Sequence, residues 1–171
     1  MNLRLFFTLW GAGTLATAAV IPYAFQLQES ILAKVPLPLT VVAAVSLAQT
    51  AALVAVAVFV GLRAARGVGL GAPYLEGWLA GERRTGFGRT AAAAAGIGVA
   101  AGVAIALADL AFPALRIGPT EAPIPLAYRL LASLYGGITE ELLLRLFFVS
   151  GLAWLLSRIA RREAGAIVLW T

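Results

Sequence analysis

Long stretches without charge constrain the fold of this chain more than any other feature. Residues 5–25 and 37–62 carry no charged side chain, and residues 90–112 carry a single one. Each stretch is long enough for an α-helix to cross the ~30 Å hydrocarbon core of a bilayer. A fourth apolar stretch, residues 126–156, contains four charges. The chain is therefore predicted to be an all-α, polytopic membrane helix bundle, a single transmembrane domain with four complete spans.

The composition agrees with a lipid environment. Hydrophobic residues make up 61% of the 171 residues and charged residues 12%, whereas soluble domains carry about 25% charged residues. These values exclude a large soluble domain and intrinsic disorder. The chain has no Cys and no His. Disulfides and thiol nucleophiles are therefore excluded, and the side chains that most often bind zinc are missing.

The basic residues indicate membrane topology. The 13 basic side chains, against 8 acidic ones, lie in short clusters between apolar stretches, which favours topology signals over a nucleic-acid interface. Residues 63–89 contain five arginines and two acids, and the positive-inside rule predicts that this loop is cytoplasmic. The amino terminus and the cluster Arg158, Arg161 and Arg162 are then cytoplasmic as well. We expect an integral protein of the plasma membrane whose partner is the bilayer and which binds no nucleic acid.

Three local patterns add detail to the spans. Residues 5–25 also resemble a signal peptide, with a possible cleavage site at residues 16–18, although the stretch is longer than a signal h-region. Residues 72–82 place aromatic and leucine side chains at helical spacing, which suits a short interfacial helix. In residues 90–112, small side chains at four-residue spacing predict close packing against another helix. This stripe consists of Ala94, Gly98, Gly102 and Ala106.

The fourth span carries the charged residues that are candidates for a functional site. It follows a proline-punctuated loop, residues 113–125, and is predicted either to break at Gly136-Gly137 or to form one long kinked helix. Glu141 and Arg145 are four residues apart, the spacing of a helical ion pair. Glu140 has no such partner, because its i+4 residue is a leucine.

Two interpretations of these charges are open from the residues alone. A carboxylate held in a low-dielectric environment beside a second carboxylate is suited to act as a general base. Alternatively, Thr139 is the N-cap of a helix, and Glu140 and Glu141 are ordinary acids of its first turn.

The segment Glu140-Glu141-Leu142-Leu143-Leu144-Arg145 has the pattern E-E-x-x-x-R. With Tyr135-Gly136-Gly137-Ile138 before it and Leu146-Phe147-Phe148 after it, the segment resembles the first motif of the CAAX-protease and bacteriocin-processing (CPBP, or Abi) family of intramembrane proteases. Residues 69–82 also resemble a stretch found upstream in bacterial members. The resemblance implies an eight-helix, CAAX-protease-like fold around a water-filled catalytic chamber.

The resemblance also implies roles for three residues. Glu140 matches the family's water-activating base, and Glu141 and Arg145 match the residues that help to hold the site. Substrates would be membrane-associated peptides or proteins, prenylated CAAX proteins among them. Many family members are classed as metalloproteases, so zinc is a conceivable cofactor, although its ligands are not present in this chain.

The later motifs of the family contain His, and this chain contains none. We therefore expect either the amino-terminal portion of a longer protease, with residues 164–171 starting a fifth span, or a natural short relative without activity. On either alternative this polypeptide by itself should not hydrolyse peptides, because the groups that stabilise the oxyanion are missing. The competing functions are a non-catalytic membrane protein, such as a bacteriocin-immunity-like or scaffold protein, and a small ion-transporter subunit.

Overall fold

The computed structural model describes residues 2–82, 85–112 and 124–160, and these residues form helices without strands. Four helical stretches among them are long and apolar enough to cross a membrane: Leu3–Leu27, Leu39–Gly67, Phe87–Ala111 and Leu126–Ile159. In chain order the elements are α1 (Leu3–Leu27), α2 (Glu29–Leu32), α3 (Leu39–Gly67), α4 (Pro73–Leu79), α5 (Phe87–Ala111), α6 (Leu126–Leu134), two π-helical segments (Tyr135–Glu140 and Leu142–Val149) and α7 (Ser150–Ala160).

The helices differ from the predicted spans mainly at their ends. The first span extends by two residues at each end, and α3 continues past Arg63 and Arg66 into the segment predicted as a loop. A helix can project beyond the hydrocarbon core in this way because long arginine side chains reach the headgroup region while their stems stay apolar. Three predicted features lie outside the described residues: the proline-punctuated loop up to residue 123, the loop arginines Arg83 and Arg84, and the start of a fifth span within residues 161–171.

The chain divides into two compact units, Met1–Ala72 with Ile124–Thr171 (unit 1) and Pro73–Pro123 (unit 2). In unit 2 the predicted short helix is α4, and its Tyr74 ring packs edge-on against Phe87 at 5.7 Å between centroids. Every residue of α5 is exposed, and nothing lies within 4 Å of a Cβ built on Gly98 or Gly102. Within the described residues of unit 2, no helix packs closely on the small-residue stripe.

Unit 1 is held together by close helix approaches at glycines. A Cβ built on Gly13 would lie 2.8 Å from Val54 Cγ1 and 2.9 Å from Leu142 Cδ1. Gly61 lies directly against the backbone of Leu146, and Gly67 lies against the ring of Trp154. Small residues at such contacts let helices pack without side chains between them, which supplies the dispersion energy that replaces the hydrophobic effect in lipid. Gly13 belongs to α1, so the residues that resemble a signal peptide form part of the packed bundle.

The contacts also fix the helix directions within unit 1. Gly61 meets Leu146 and Gly67 meets Trp154, so α3 runs parallel to the chain from residue 142 to residue 160. Because only residues 28–38 connect α1 to α3, α1 must run antiparallel to α3. The start of α1 and the ends of α3 and α7 therefore lie at one end of unit 1. We call this end the basic end after the four described arginines that lie there, Arg4, Arg63, Arg66 and Arg158.

Candidate functional site

The charged segment lies inside one uninterrupted helical run, residues 126–160. Of the two arrangements predicted for this span, the break at Gly136-Gly137 is wrong. The backbone instead changes from α-helical to π-helical hydrogen bonding at Tyr135 and returns at Ser150. Glycines have no Cβ and so tolerate departures from α-helical geometry. π-Helical turns are rare and occur frequently at functional sites.

The alternative interpretation of Thr139 as an N-cap is also wrong. The helical run begins at Leu126, three turns earlier, and the Thr139 side chain is fully buried. Its hydroxyl donates to the Gly13 carbonyl oxygen at 3.0 Å, and the Thr17 hydroxyl donates to the same oxygen at 2.9 Å. The two hydroxyl oxygens are 3.5 Å apart. This buried polar contact joins the π-helical segment to α1 and fixes which residues around Thr139 face outward.

Glu141 and Arg145 form the ion pair that their spacing predicted. Arg145 Nε lies 3.0 Å from Glu141 Oε2, with 80% of the Arg145 side chain and 48% of the Glu141 side chain exposed. The carbonyl oxygen of Arg145 accepts a hydrogen bond from the buried Ser150 hydroxyl. Glu141 therefore has a compensating charge, and the Ser150 hydroxyl holds the backbone of Arg145 in place.

Glu140 is in a different situation. Its side chain is exposed on the surface of unit 1, and one of its carboxylate oxygens lies 3.6 Å from the position of a Cβ built on Gly136. Among the described residues no side chain forms an ion pair or hydrogen bond with it. Its neighbour Thr139 contacts Gly13 near the middle of α1, so the carboxylate lies near the middle of the span. A carboxylate at this depth costs roughly 2.5–3.5 kcal/mol on insertion scales.

Glu140, Glu141 and Arg145 are all exposed, so the described residues of unit 1 do not enclose them in a chamber. One cleft of about 300 Å³ in the described part of unit 1 is lined by residues from the end of α1 to the start of α3, and by none of these three. Within the described parts of the chain, no three Asp or Glu side chains come together to hold a metal ion. Since the sequence contains no His or Cys either, these residues do not fit a zinc site.

The Thr17–Gly13–Thr139 contact was not found by sequence reasoning. Each threonine lies in an apolar stretch and could equally bond its own helix, as Thr8 and Thr14 do four residues back. The available signal was the position of Thr139 directly before two glutamates. That signal also fits helix capping, which is the natural interpretation if a helix starts at the glycine pair.

Comparisons with protein-family profiles, curated proteins and solved structures find no match to this chain. The class of protein is therefore defined by the structure itself. The described residues are all-helical, with four helices long and apolar enough to span a membrane. One helix of unit 1 carries an ion pair and a carboxylate without a partner among the described residues.

Proposed function

We propose that this protein contributes the catalytic glutamate of an intramembrane peptidase of the CAAX-protease type. The observation that carries the proposal is the Glu140 carboxylate, which is placed at mid-span without a partner among the described residues, beside a Glu141 that Arg145 already compensates. An uncompensated acid at this depth is costly, and intramembrane acids of this kind are typically functional. The sequence pattern E-E-x-x-x-R and its flanking residues support the same assignment.

In this proposal Glu140 accepts a proton from a water molecule that attacks a peptide carbonyl. The ion pair between Glu141 and Arg145 is neutral overall and orders the adjacent turn. The net negative charge of this segment is then that of the Glu140 carboxylate. The buried Thr139 hydroxyl fixes the rotation of the segment. The substrates are membrane-associated peptides or proteins, prenylated CAAX sequences among them, because the base lies at a depth that only a membrane-embedded peptide reaches. Groups that stabilise the oxyanion are needed in addition to these three residues.

The proposal can be tested with the protein produced from its full reading frame and reconstituted in liposomes. We expect cleavage of a fluorogenic peptide anchored in the same bilayer, with a prenylated and an unprenylated version compared. A pH-sensitive dye inside the liposomes reports proton flux in the same preparation. Proton flux without cleavage would replace the peptidase with a transporter. If neither cleavage nor proton flux is observed and the protein retains a specific partner protein, the result would favour the scaffold alternative.

We further propose that the protein lies in the plasma membrane with its amino terminus and its basic end on the cytoplasmic side. Among the described residues of unit 1, the basic end carries four arginines, whereas the charges toward the opposite end are Glu29, Lys34 and Arg129. The positive-inside rule then assigns the basic end to the cytoplasm.

Single-cysteine labelling should show this orientation directly, because the chain has no native cysteine to interfere. With a membrane-impermeant maleimide on intact cells, Lys34→Cys should be labelled, whereas Arg66→Cys should be labelled only after permeabilisation. Both positions are exposed, so each serves as the accessibility control for the other. The reverse pattern would invert the proposed topology.

A further inference from the structure

The basic end of unit 1 presents four exposed arginines that the proposed peptidase chemistry does not use. Two of them are backed by aromatic rings. The guanidinium carbon of Arg158 lies 4.8 Å from the centre of the Trp154 ring, and that of Arg63 lies 5.6 Å from the Phe59 ring. Stacking on a ring holds a guanidinium flat while its edge N–H groups stay available.

The four charges lie at similar depth. Gly13 and Val54 are in contact, and Arg4 and Arg63 are each nine residues from that contact along antiparallel helices. Nine residues correspond to about 14 Å, roughly half of the hydrocarbon thickness. Arg66 directly precedes Gly67, which touches the Trp154 ring on which Arg158 lies. The arginines therefore form one band at the level where the apolar part of the bundle ends.

No acid among the described residues of unit 1 neutralises this band. Within the described residues of unit 1, the acids are Glu29 near the opposite end and the pair Glu140 and Glu141 near mid-span. Arg4 and Arg66 form no ion pair with these acids, and Glu141 is already bound to Arg145. Among the described residues of unit 1, the four arginines thus keep their positive charge at this depth.

We propose that the basic end is a binding surface for anionic phospholipids. Guanidinium groups bind phosphate with two parallel hydrogen bonds, and a Trp side chain at this depth is typical of the membrane interface. Because the arginines project from the ends of membrane helices, the phosphates that reach them first are those of lipid headgroups. The inference does not depend on the proposed peptidase activity.

The experiment uses the purified full chain in a neutral detergent, titrated with phosphatidylglycerol or phosphatidylcholine and followed by native mass spectrometry. We expect phosphatidylglycerol to bind at least about 25-fold more tightly than phosphatidylcholine. Each arginine near an anionic surface contributes enough to change the affinity about fivefold. The variant Arg66→Gln/Arg158→Gln should therefore lose about 25-fold in affinity for phosphatidylglycerol. The variant Arg4→Gln/Arg63→Gln should show a comparable loss, and it provides the test if the first variant folds poorly.

The matched control is Lys34→Gln/Arg129→Gln, which removes the same charge toward the opposite end of unit 1 and should leave the phosphatidylglycerol affinity within about twofold. Equal affinity for both lipids, or an equal loss in the control, would overturn the proposal. Displacement of the lipid by inorganic phosphate at millimolar concentration would also overturn it, because it would show a site for a free anion. Circular dichroism of each variant confirms that the helices are retained.

Discussion

In the protein produced from its full reading frame, replacement of Glu140 by glutamine is expected to lower kcat for peptide hydrolysis by about 10²–10⁴-fold and to leave KM nearly unchanged. Removal of a general base typically costs this factor. Glutamine has the size and polarity of glutamate, so the exposed site and the Thr139 anchor should be preserved. The amide cannot accept the proton of the attacking water. A loss confined to kcat is the signature of an interaction that acts in the transition state.

The neighbouring glutamate provides the first comparison. Glu141→Gln removes the charge that pairs with Arg145 at 3.0 Å but leaves the proposed base in place. We expect a smaller loss of kcat than for Glu140→Gln, because exposed helical ion pairs are worth only a few tenths of a kcal/mol.

The second comparison is Glu29→Gln, which removes a carboxylate near the opposite end of unit 1 and should have no effect on kcat. All three variants are measured in the same proteoliposome assay. If Glu140→Gln retained the activity of the unmodified protein, Glu140 would not be the base. If Glu141→Gln showed the larger loss, the two roles would have to be exchanged.

Replacement of Gly61 by alanine is expected to destabilise unit 1 by about 1–3 kcal/mol or more, the usual range for overpacking of a tight contact. A Cβ at this position would lie 2.5 Å from the carbonyl oxygen and 2.8 Å from the carbonyl carbon of Leu146. Both atoms belong to the backbone, so no rotamer change can relieve the clash. The helices must separate, and the π-helical segment that contains Arg145 moves away from α3.

The matched control for this prediction is Gly11→Ala in α1. Nothing lies within 4 Å of a Cβ built on Gly11, so the substitution should be neutral or stabilising by up to about 1 kcal/mol through helix propensity. The midpoint of thermal unfolding in detergent, followed by circular dichroism, should fall for Gly61→Ala and should stay or rise for Gly11→Ala. Equal midpoints for the two variants would show that the contact between Gly61 and Leu146 is looser than described.

The glycines show where sequence reasoning reaches its limit. The regular spacing of the stripe containing Gly98 and Gly102 predicts close packing, yet no described residue of its own unit packs on it. The close approaches occur at Gly13, Gly61 and Gly67. Of these, only Gly61 lies in a four-residue repeat that includes alanine, formed with the buried Ala57 and Ala65. A glycine permits close packing from its own sequence position, but whether a neighbour arrives there depends on another helix far away in the chain.

The sequence by itself determined the all-helical class, the four membrane-length helices and the Glu141–Arg145 pair. Each of these depends on residues within one helix or one turn, through apolar length and i,i+4 spacing. The tertiary structure alone decided that the charged helix is continuous, that Thr139 is buried against Gly13, and that four arginines from three helices share one end. These features depend on contacts between residues far apart in the chain, and local periodicity carries no information about which distant backbone atom a hydroxyl or a glycine will meet.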